Sequence, residues 1–473
     1  MKKKVIIIGG GIAGLSSGVY ALKNGFDVTI LESHSIPGGN CTSWKRKGYQ
    51  FEGGMHWLTG SGKDTELNKL WHYVGALDDS VVIHNKEPFT EFDFKGTAIR
   101  LYRDVNKTQE HLTELFPEDT AEIEKLCNSI RQLANNEMPD DVYASNFKSE
   151  GLKELFRSFI GDYQGPIPIF FFFTFGTFAI GDGGFPEGGS LPFAGRIAKT
   201  VTSLGGEILY NTKAEQVIVE NGKAVGVLAN NIHSNTTTKM DADFVVVTSD
   251  TMTIDILFEI PAKALWIDEM RRVTHPTMCT FISLGINADL KKYPTQYVFK
   301  LTKPINFVNH PMEYLHVNNY ADDPNFSPAG KTAMTVILGG DTYDFWRGAK
   351  EGGTYEEEKQ KLADTIIAAI EKQIPETTGK FEVIDVATPL TYERYCGTWK
   401  GSYMTAMTPE VKMEPYPPVV DNISRLYFAG QRMMPPGGFP IALTTARTAI
   451  EYLCKDANVV FANEGANVDL QLI

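Results

Sequence analysis

The sequence predicts an α/β fold built on a parallel sheet, and three features near the N-terminus predict it. Residues 5–8 form a continuous run of β-branched residues, which is typical of a strand buried on both faces of a parallel sheet. A glycine-rich turn follows at once, and residues 15–24 then carry the pattern of a helix that stops at Gly25. A second strand pattern, Asp27–Leu31, completes a strand-turn-helix-strand unit.

The turn between the first strand and the helix has the spacing G-x-G-x-x-G, carried by Gly9, Gly11 and Gly14. In this motif the first glycine permits a tight turn, the second lets the backbone approach a pyrophosphate, and the third lets the helix pack closely on the strand. The amides of Ile12 and Ala13, at the helix N-terminus, are then expected to face the phosphates. The motif predicts a dinucleotide-binding site in a Rossmann-type domain.

The second strand ends at Glu32, which lies 18 residues beyond Gly14 and is followed by Ser33. An acidic side chain at this position is placed to accept hydrogen bonds from an adenosine ribose. Because it would repel a 2′-phosphate, NADP is not expected at this site. The alternative is a glycine-rich turn in an unrelated α/β domain.

Length, charge and cysteine content limit the classes of function. The chain has 473 residues, enough for two or three domains of about 150 residues, and its formal net charge is −13. Because a surface this acidic repels the phosphate backbone, we do not expect nucleic acid as a partner. Five widely spaced cysteines without a Cys-x-x-Cys pair predict neither a metal site nor a redox-active dithiol. No apolar stretch approaches the roughly 20 residues of a membrane span, and we expect a cytoplasmic protein.

Four separated blocks of the sequence carry motifs of one known family. The first is residues 9–41, which include a second glycine-rich turn, and the second is residues 48–57, with a Gly-aromatic-x-Phe-acidic-x-Gly pattern. The third runs from residue 185 through a predicted helix, a strand and a hairpin to residue 228. The fourth, residues 426–454, reads as strand, glycine turn and helix. With these blocks the chain resembles the phytoene desaturase, carotenoid isomerase and retinol saturase branch of the FAD-dependent amine oxidase superfamily.

The resemblance implies FAD as the cofactor and a GR2-like flavoprotein fold, and it assigns site residues by motif. Besides the residues of the first motif, the implied contacts with FAD are Gly38, Gly39, Asn40, Gly53, Gly54, Met55, His56, Val217, Gly430, Gln431, Gly437, Gly438, Phe439 and Ile441. The backbone near Val217 is expected at the adenine, Gln431 at the ribityl chain or a phosphate, and the glycine turn at Gly437 and Gly438 with the following helix N-terminus under the isoalloxazine. Three places depart from the family pattern: many members carry Arg in place of Asn40, Asp in place of Gln431, and a Ser-Gly pair in place of Thr444-Thr445.

The resemblance also implies two discontinuous domains. We predict an FAD-binding domain from residues 1–70, 186–254 and 416–473, and an α+β substrate-binding domain from residues 71–185 and 255–415.

Candidate catalytic residues lie next to the motifs. His56 is expected to exchange a proton at a substrate carbon, with Trp57 beside it, although a purely structural histidine is the alternative. Tyr403 belongs to a late aromatic group that forms a wall beside the flavin in some superfamily members, and core packing is its alternative. The segment 165–178 carries six phenylalanines. It is predicted to be core, the wall of an apolar substrate tunnel, or a patch that touches a membrane surface.

The predicted function is that of an FAD-dependent oxidoreductase acting on carbon–carbon bonds of a long apolar substrate such as a carotenoid, retinoid or unsaturated lipid. Desaturation, saturation and cis–trans isomerisation share this apparatus. A flavin amine or amino-acid oxidase is the first alternative, and a non-catalytic escort-like protein that presents lipid is the second. The chain lacks a second G-x-G-x-x-G in a strand-turn-helix setting, which argues against a pyridine-nucleotide disulfide reductase. The electron donor or acceptor stays open among a quinone, oxygen and a carrier.

Overall fold

The computed structural model describes residues 2–308, 310–407, 414–435 and 437–463. Its helices, in chain order, are α1 Ile12–Lys23, α2 Glu66–Tyr73, α3 Val105–Leu115, α4 Thr120–Ala134, α5 Glu150–Ile160, α6 Ile169–Ala179, α7 Ser190–Ser203, α8 Leu265–Val273, α9 Tyr343–Glu351, α10 Tyr355–Gln373, α11 Pro389–Cys396 and α12 Phe439–Ala457. The first helix therefore begins three residues earlier than the sequence pattern predicts, directly at the glycine turn.

The strands, in the same order, are β1 Lys4–Ile8, β2 Asp27–Leu31, β3 Ser43–Arg46, β4 Tyr49–Glu52, β5 Ile83–His84, β6 Thr90–Phe94, β7 Thr97–Leu101, β8 Phe185–Pro186, β9 Glu207–Leu209, β10 Thr212–Glu220, β11 Lys223–Asn231, β12 Thr236–Asp241, β13 Phe244–Val247, β14 Thr274–Thr277, β15 Cys279–Ile286, β16 Gln296–Phe307, β17 His310–Asn319, β18 Thr332–Gly339, β19 Phe381–Ala387, β20 Met404–Met407 and β21 Leu426–Phe428.

A parallel sheet forms the centre of one half of the molecule, and its strands come from the beginning, middle and end of the chain. Its order in the described chain is β21-β13-β1-β2-β9, with β1 paired in parallel to both β13 and β2. Helices α1, α7 and α12 pack on one face through apolar side chains that include Val19, Phe193 and Leu443. The predicted α/β fold is confirmed. In such sheets ligands bind at the carboxyl ends of the strands, so the strand order places the site at the ends of β1, β2 and β13.

A larger, mostly antiparallel sheet forms the second half. Its order is β19-β15-β18-β17-β16-β6-β7, with one parallel pair between β16 and β6. Helix α10 packs against it through Ile366 and Ile370, which belong to the same core as Leu284 and Val336. Helices α3 to α6 cover the end formed by β6 and β7, where Phe92 lies in a core that includes the buried phenylalanines of α6.

The half of the molecule that contains the parallel sheet is the predicted FAD-binding domain. Its cores include residues beyond the predicted boundaries at residues 70 and 254. Val74 and Leu77 pack in the same core as α1, and Trp266 and Met270 of α8 pack in the same core as Val245 of the parallel sheet. We therefore propose that residues 71–77 and 255–273 belong to that half. The predicted C-terminal segment 464–473, and Pro436 of the fourth block, lie outside the described residues.

Helix α6 carries the phenylalanine-rich segment and has two faces. Phe171, Phe172, Phe175 and Phe178 are buried, whereas Ile169, Phe170 and Phe173 are exposed. Burial of four phenylalanines stabilises the helical layer by an amount on the order of 2 kcal/mol each. None of the helices in the described part of the chain is both long and apolar enough to cross a lipid bilayer.

Candidate active site

The glycine turn after β1 is shaped by contacts that exclude side chains. Gly9 has φ +105°, and a Cβ atom at Gly14 would lie 1.8 Å from the Gly9 carbonyl oxygen. A Cβ at Gly11 would make only ordinary contacts within the protein, the shortest being 3.7 Å to the Gly38 oxygen. The need for glycine at positions 9 and 14 therefore comes from the protein itself. At Gly11 the protein itself leaves room for a Cβ, so a need for glycine there would come from a ligand in the cavity that Gly11 lines.

Glu32 joins the end of β2 to this turn. Its buried carboxylate accepts hydrogen bonds from the amides of Gly10 and His34, both at 2.7 Å. Burial raises the pKa of Glu32, although these two amides oppose the shift. A carboxylate offers about four lone-pair sites, so acceptor capacity remains for a ligand hydroxyl.

A cavity of about 530 Å³ opens at the carboxyl ends of β1, β2 and β13. That volume is in the range of small-molecule and cofactor sites. The predicted site residues that line it are Gly9, Gly11, Ile12, Ala13, Glu32, Ser33, Gly38, Gly39, Asn40, Gly430, Gln431, Gly438 and Phe439. The predicted residues outside its lining are Gly14, Gly53, Gly54, Met55, His56, Val217, Gly437 and Ile441.

Val217, whose neighbouring backbone is predicted to contact the adenine, is not among the residues that line the cavity. It is buried in the core between the hairpin and the parallel sheet, and the wall is formed by Thr212, Lys213 and Ala214 instead. Strand β10 begins at the cavity and runs away from it at about 3.3 Å per residue. Val217, three residues beyond Ala214, therefore lies further from the cavity. A register shift after Ala214 buries both positions, and the sequence pattern alone does not separate them.

Several polar groups in the cavity wall have no hydrogen-bond partner in the protein. They are both side-chain amide atoms of Asn40, the indole Nε1 of Trp44 and the hydroxyl of Thr398, all buried. Buried polar groups in folded proteins are almost always paired, so four orphan atoms around one cavity indicate a polar ligand. The pyrophosphate, ribityl hydroxyls and ring heteroatoms of FAD offer suitable partners. The residues present therefore fit FAD.

Residues 53–55 form a layer directly behind this wall. A Cβ at Gly53 would lie 2.5 Å from the Trp44 ring, and one at Gly54 would lie 2.4 Å from the Asn40 carbonyl oxygen. The carboxylate of Glu52 holds the layer by accepting hydrogen bonds from the amides of Gly54 and Met55, at 2.8 and 2.9 Å. The predicted glycine pair thus supports the cofactor wall from behind.

Glu52 also ties this layer to helix α7. It accepts a hydrogen bond from the Ser190 amide at 2.9 Å and another from the Ser190 hydroxyl. Burial raises the pKa of Glu52, opposed by these hydrogen bonds. The sequence pattern contains Glu52 as its acidic position, but its role emerges only when α7 is in place.

Two tyrosines fix the same layer from the other side. The Tyr392 hydroxyl donates to the Gly53 carbonyl at 2.8 Å, and the Tyr403 hydroxyl donates to the Gly54 carbonyl. Burial raises the pKa of both hydroxyls well above the usual value, so they stay protonated. Because its proton is engaged with a backbone carbonyl, we reassign Tyr403 from a catalytic role to a positioning role.

His56 follows this layer in the chain, and its side chain is exposed. Its ring is 5.9 Å from the Tyr403 ring and 6.1 Å from the Trp57 ring, measured between centroids. Although the side chain is exposed, desolvation by the surrounding protein lowers its pKa to about 4. His56 is therefore neutral at physiological pH and can accept or, as a neutral N–H, donate a hydrogen bond.

Trp57 begins an aromatic wall that leads away from His56. It makes edge-to-face contacts with Phe89 and Phe178, at centroid distances of 6.0 and 5.8 Å. Phe175 continues the wall at 5.6 Å from Phe178. Helix α6 therefore contributes its buried face to this wall.

A buried ion pair that sequence reasoning missed also lines the cavity. Arg432 and Asp250 form a bidentate pair at 2.7 and 2.8 Å, and Asp250 accepts a further hydrogen bond from the Trp399 amide at 2.8 Å. The pair ties the segment around Thr405 to the parallel sheet. Asp250 follows the carboxyl end of β13, a position where polar residues are expected at a site, and that signal could have identified it.

The family model for flavin containing amine oxidoreductase matches residues 12–453. The chain belongs to the flavin-containing amine oxidoreductase family. Its cofactor is FAD, as the four sequence blocks predict.

Within this family, similar curated proteins come from the predicted branch. The chain is 24% identical to the chloroplastic prolycopene isomerase of Daucus carota, over 84% of this chain and 71% of that protein. It is 22% identical to a 4,4'-diapophytoene desaturase of Methylomonas sp, over 97% and 96%. It is 21% identical to the all-trans-retinol 13,14-reductase of Danio rerio, over 94% and 84%.

Solved structures of other proteins share the fold of this chain. An oxidoreductase from Methanosarcina mazei has a TM-score of 0.63 at 19% identity, covering 95% of this chain and 99% of the other. Putrescine oxidase bound to putrescine has a TM-score of 0.62 at 15% identity, covering 96% and 99%. At such identities the likeness concerns the fold alone.

Proposed function

We propose that this flavoprotein acts on carbon–carbon bonds of a long apolar substrate, by desaturation, saturation or cis–trans isomerisation. The observation that carries the proposal is the aromatic wall of Trp57, Phe89, Phe175 and Phe178, which starts at His56 behind the cofactor layer. Such a wall offers an extended apolar chain contact but few hydrogen bonds. The named activities of the isomerase, desaturase and reductase relatives are consistent with it.

We propose that FAD is held by the first glycine turn, by Glu32 and by the orphan groups of Asn40, Trp44 and Thr398. When bound, FAD supplies hydride transfer. The protein orients the cofactor through two glycine turns and the N-terminus of α12, whose first turn begins at Phe439. Free amides at that helix end favour negative charge next to them.

His56 is the residue we propose for proton movement at the substrate. As a neutral imidazole it can take a proton from a carbon that loses one, or deliver one through the opposite ring nitrogen. Trp57, whose ring centroid lies 6.1 Å from that of His56, would position it.

The exposed face of α6 suggests how an apolar substrate reaches the aromatic wall. Ile169, Phe170 and Phe173 are exposed on the helix whose opposite face lines the wall. We propose that this face makes peripheral contact with a membrane surface that holds the substrate.

Anaerobic flavin spectroscopy tests the proposed function. The purified protein is expected to show a flavin spectrum, and its reduced form is expected to be reoxidised by an apolar polyene, or to isomerise one without net change in the flavin. The variant His56→Gln should slow that reaction by about 100-fold and keep the bound-flavin spectrum. His72→Gln, on the surface helix α2, is the matched control and should react like the native protein.

Other results would replace the proposal. Reduction of the flavin by a free amine, with no response to polyenes, would assign the chain to the amine oxidases. A protein that purifies without flavin and cannot be loaded would favour the escort-like alternative.

A further inference from the structure

Arg103 contacts the end of the aromatic wall that lies away from His56. It lies in the turn between β7 and α3, and its guanidinium carbon is 4.1 Å from the Phe178 ring centroid and 5.5 Å from that of Phe89. These are the two rings that Trp57 contacts on the way from His56. The wall therefore has a neutral imidazole at one end and a cation at the other.

The guanidinium of Arg103 is only partly satisfied by the protein. Nη1 donates to the Gly183 carbonyl at 2.8 Å and to the Asp182 carbonyl at 3.4 Å. Nε is buried without a hydrogen-bond partner. Burial lowers the pKa of Arg103 to about 10, so the side chain keeps its charge at neutral pH.

The two nearest acidic side chains, Glu87 and Asp182, partly offset the effect of burial on the Arg103 guanidinium by their charge, but their hydrogen bonds go to backbone amides. Glu87 accepts hydrogen bonds from the backbone amides of Arg103 and Asp104, at 3.0 and 3.1 Å. Asp182 accepts from the amides of Gly60 and Gly62, each at 2.7 Å by its shortest contact. Among the residues that the structure describes, no carboxylate lies within ion-pair distance of the Arg103 guanidinium.

A cation in this position is costly unless something neutralises it. Aromatic faces return about 1–2 kcal/mol to a desolvated cation, which is less than the cost of burying one unpaired. The unsatisfied Nε adds a further cost of about 1–3 kcal/mol. An acceptor with one negative charge at the Nε–Nη2 edge, which no described protein acceptor uses, would remove both costs.

We propose that Arg103 anchors a carboxylate at one end of the elongated substrate, whose reacting bond lies beside His56. This inference rests on the proposed function and narrows it to long apolar carboxylates. Guanidinium and carboxylate match in planar geometry, which favours this anion over others. A diphosphate would need more cations, and the nearby Lys86 is already paired with Asp322.

A matched pair of ligands tests the proposal without requiring turnover. All-trans-retinoate and all-trans-retinol share one apolar chain and differ at the terminal group. Binding to the FAD-loaded protein is measured by quenching of tryptophan fluorescence. We expect retinoate to bind about tenfold more tightly than retinol, equivalent to one charge-assisted contact.

Variants of Arg103 then locate the source of the preference. Arg103→Gln keeps a donor for the Gly183 carbonyl but removes the charge, and it should bind the two ligands equally, with retinol affinity unchanged within about twofold. Arg103→Lys should restore part of the preference. Arg347→Gln, at an exposed arginine paired with Asp344 on α9, is the control and should behave like the native protein.

Several outcomes would overturn the proposal. They are equal binding of both ligands to the native protein, a preference that survives Arg103→Gln, loss of both ligands in that variant, or no binding of retinoate or of a second carboxylate, oleate. The proposed function fails by a different measurement. If carboxylates bind through Arg103 but no apolar compound reacts with the flavin, the anchor stands and the carbon–carbon chemistry does not.

Discussion

The cofactor cavity and the aromatic wall beside His56 are built from different kinds of contact. In the cavity, the nucleotide end is formed by backbone and glycines from the first forty residues, with one carboxylate, Glu32. The wall is formed by side chains from distant segments, namely Trp57, Phe89, Arg103 and Phe178. The cofactor cavity depends on the path of the backbone. The aromatic wall depends on which side chains the fold brings into contact.

This difference determines how each region tolerates change. Beneath the cavity, an added methyl group at Gly14 meets the carbonyl oxygen of Gly9 at 1.8 Å, and the backbone cannot move without breaking the sheet. In the wall, ring-to-ring contacts at about 6 Å can be replaced by other apolar side chains with modest cost. A single scaffold can therefore keep its cofactor while its substrate changes.

The largest expected effect is that of Gly14→Ala. The new Cβ would lie 1.8 Å from the Gly9 oxygen and 2.8 Å from the Thr248 hydroxyl, so α1 must move away from β1. We expect a loss of about 3 kcal/mol or more in the free energy of unfolding, together with most of the bound flavin. Chemical denaturation and the ratio of flavin to protein absorbance measure the two effects.

The control for this change is Gly195→Ala on α7. A Cβ at Gly195 meets nothing within 4 Å, so this variant should keep its flavin and gain up to about 1 kcal/mol from helix propensity. If both variants retained flavin equally, the close contact of α1 with the turn would not be what orders the cavity.

An intermediate effect is expected from Glu52→Gln. The carboxylate accepts from the amides of Gly54 and Met55 on one oxygen and from the Ser190 amide on the other. Glutamine has only one carbonyl oxygen, so its NH₂ group must face at least one amide donor in a buried site. We expect a loss of about 2 kcal/mol in stability and weaker flavin retention, measured by thermal unfolding and by dialysis.

Glu66→Gln provides the comparison, because Glu66 is an exposed residue paired with Lys69 on α2. It should change stability by less than about 0.5 kcal/mol. Equal behaviour of the two variants would show that the layer behind the cofactor wall does not depend on Glu52.

Sequence reasoning predicted the cavity better than the wall for a physical reason. The G-x-G-x-x-G turn and Glu32 act through local backbone geometry, so their spacing along the chain is their spacing in space. The sequence does not show that Ala214 rather than Val217 lines the cavity, because a register shift near Ala214 cannot be read from alternation of apolar residues. Arg103 carries no local motif. Its contact with Phe178 of α6 exists only in the folded chain, and the Arg432–Asp250 pair likewise joins residues that are far apart in the sequence.

The smallest expected effect concerns the pH dependence of stability at His56. Its pKa is lowered from 6.5 to about 4, so between these values the unfolded chain binds a proton that the folded chain does not. Stability must then rise with pH over this range and be lost as pH falls through 6.5. Because the side chain is exposed, screening by solvent keeps the contribution below about 1 kcal/mol. The difference in free energy of unfolding between the native protein and His56→Gln, measured by chemical denaturation, should therefore shift against the native protein on acidification. A difference that stays constant with pH would mean that the His56 ring is hydrated and not desolvated by the protein, which would remove one physical basis for a dry, apolar substrate site beside it.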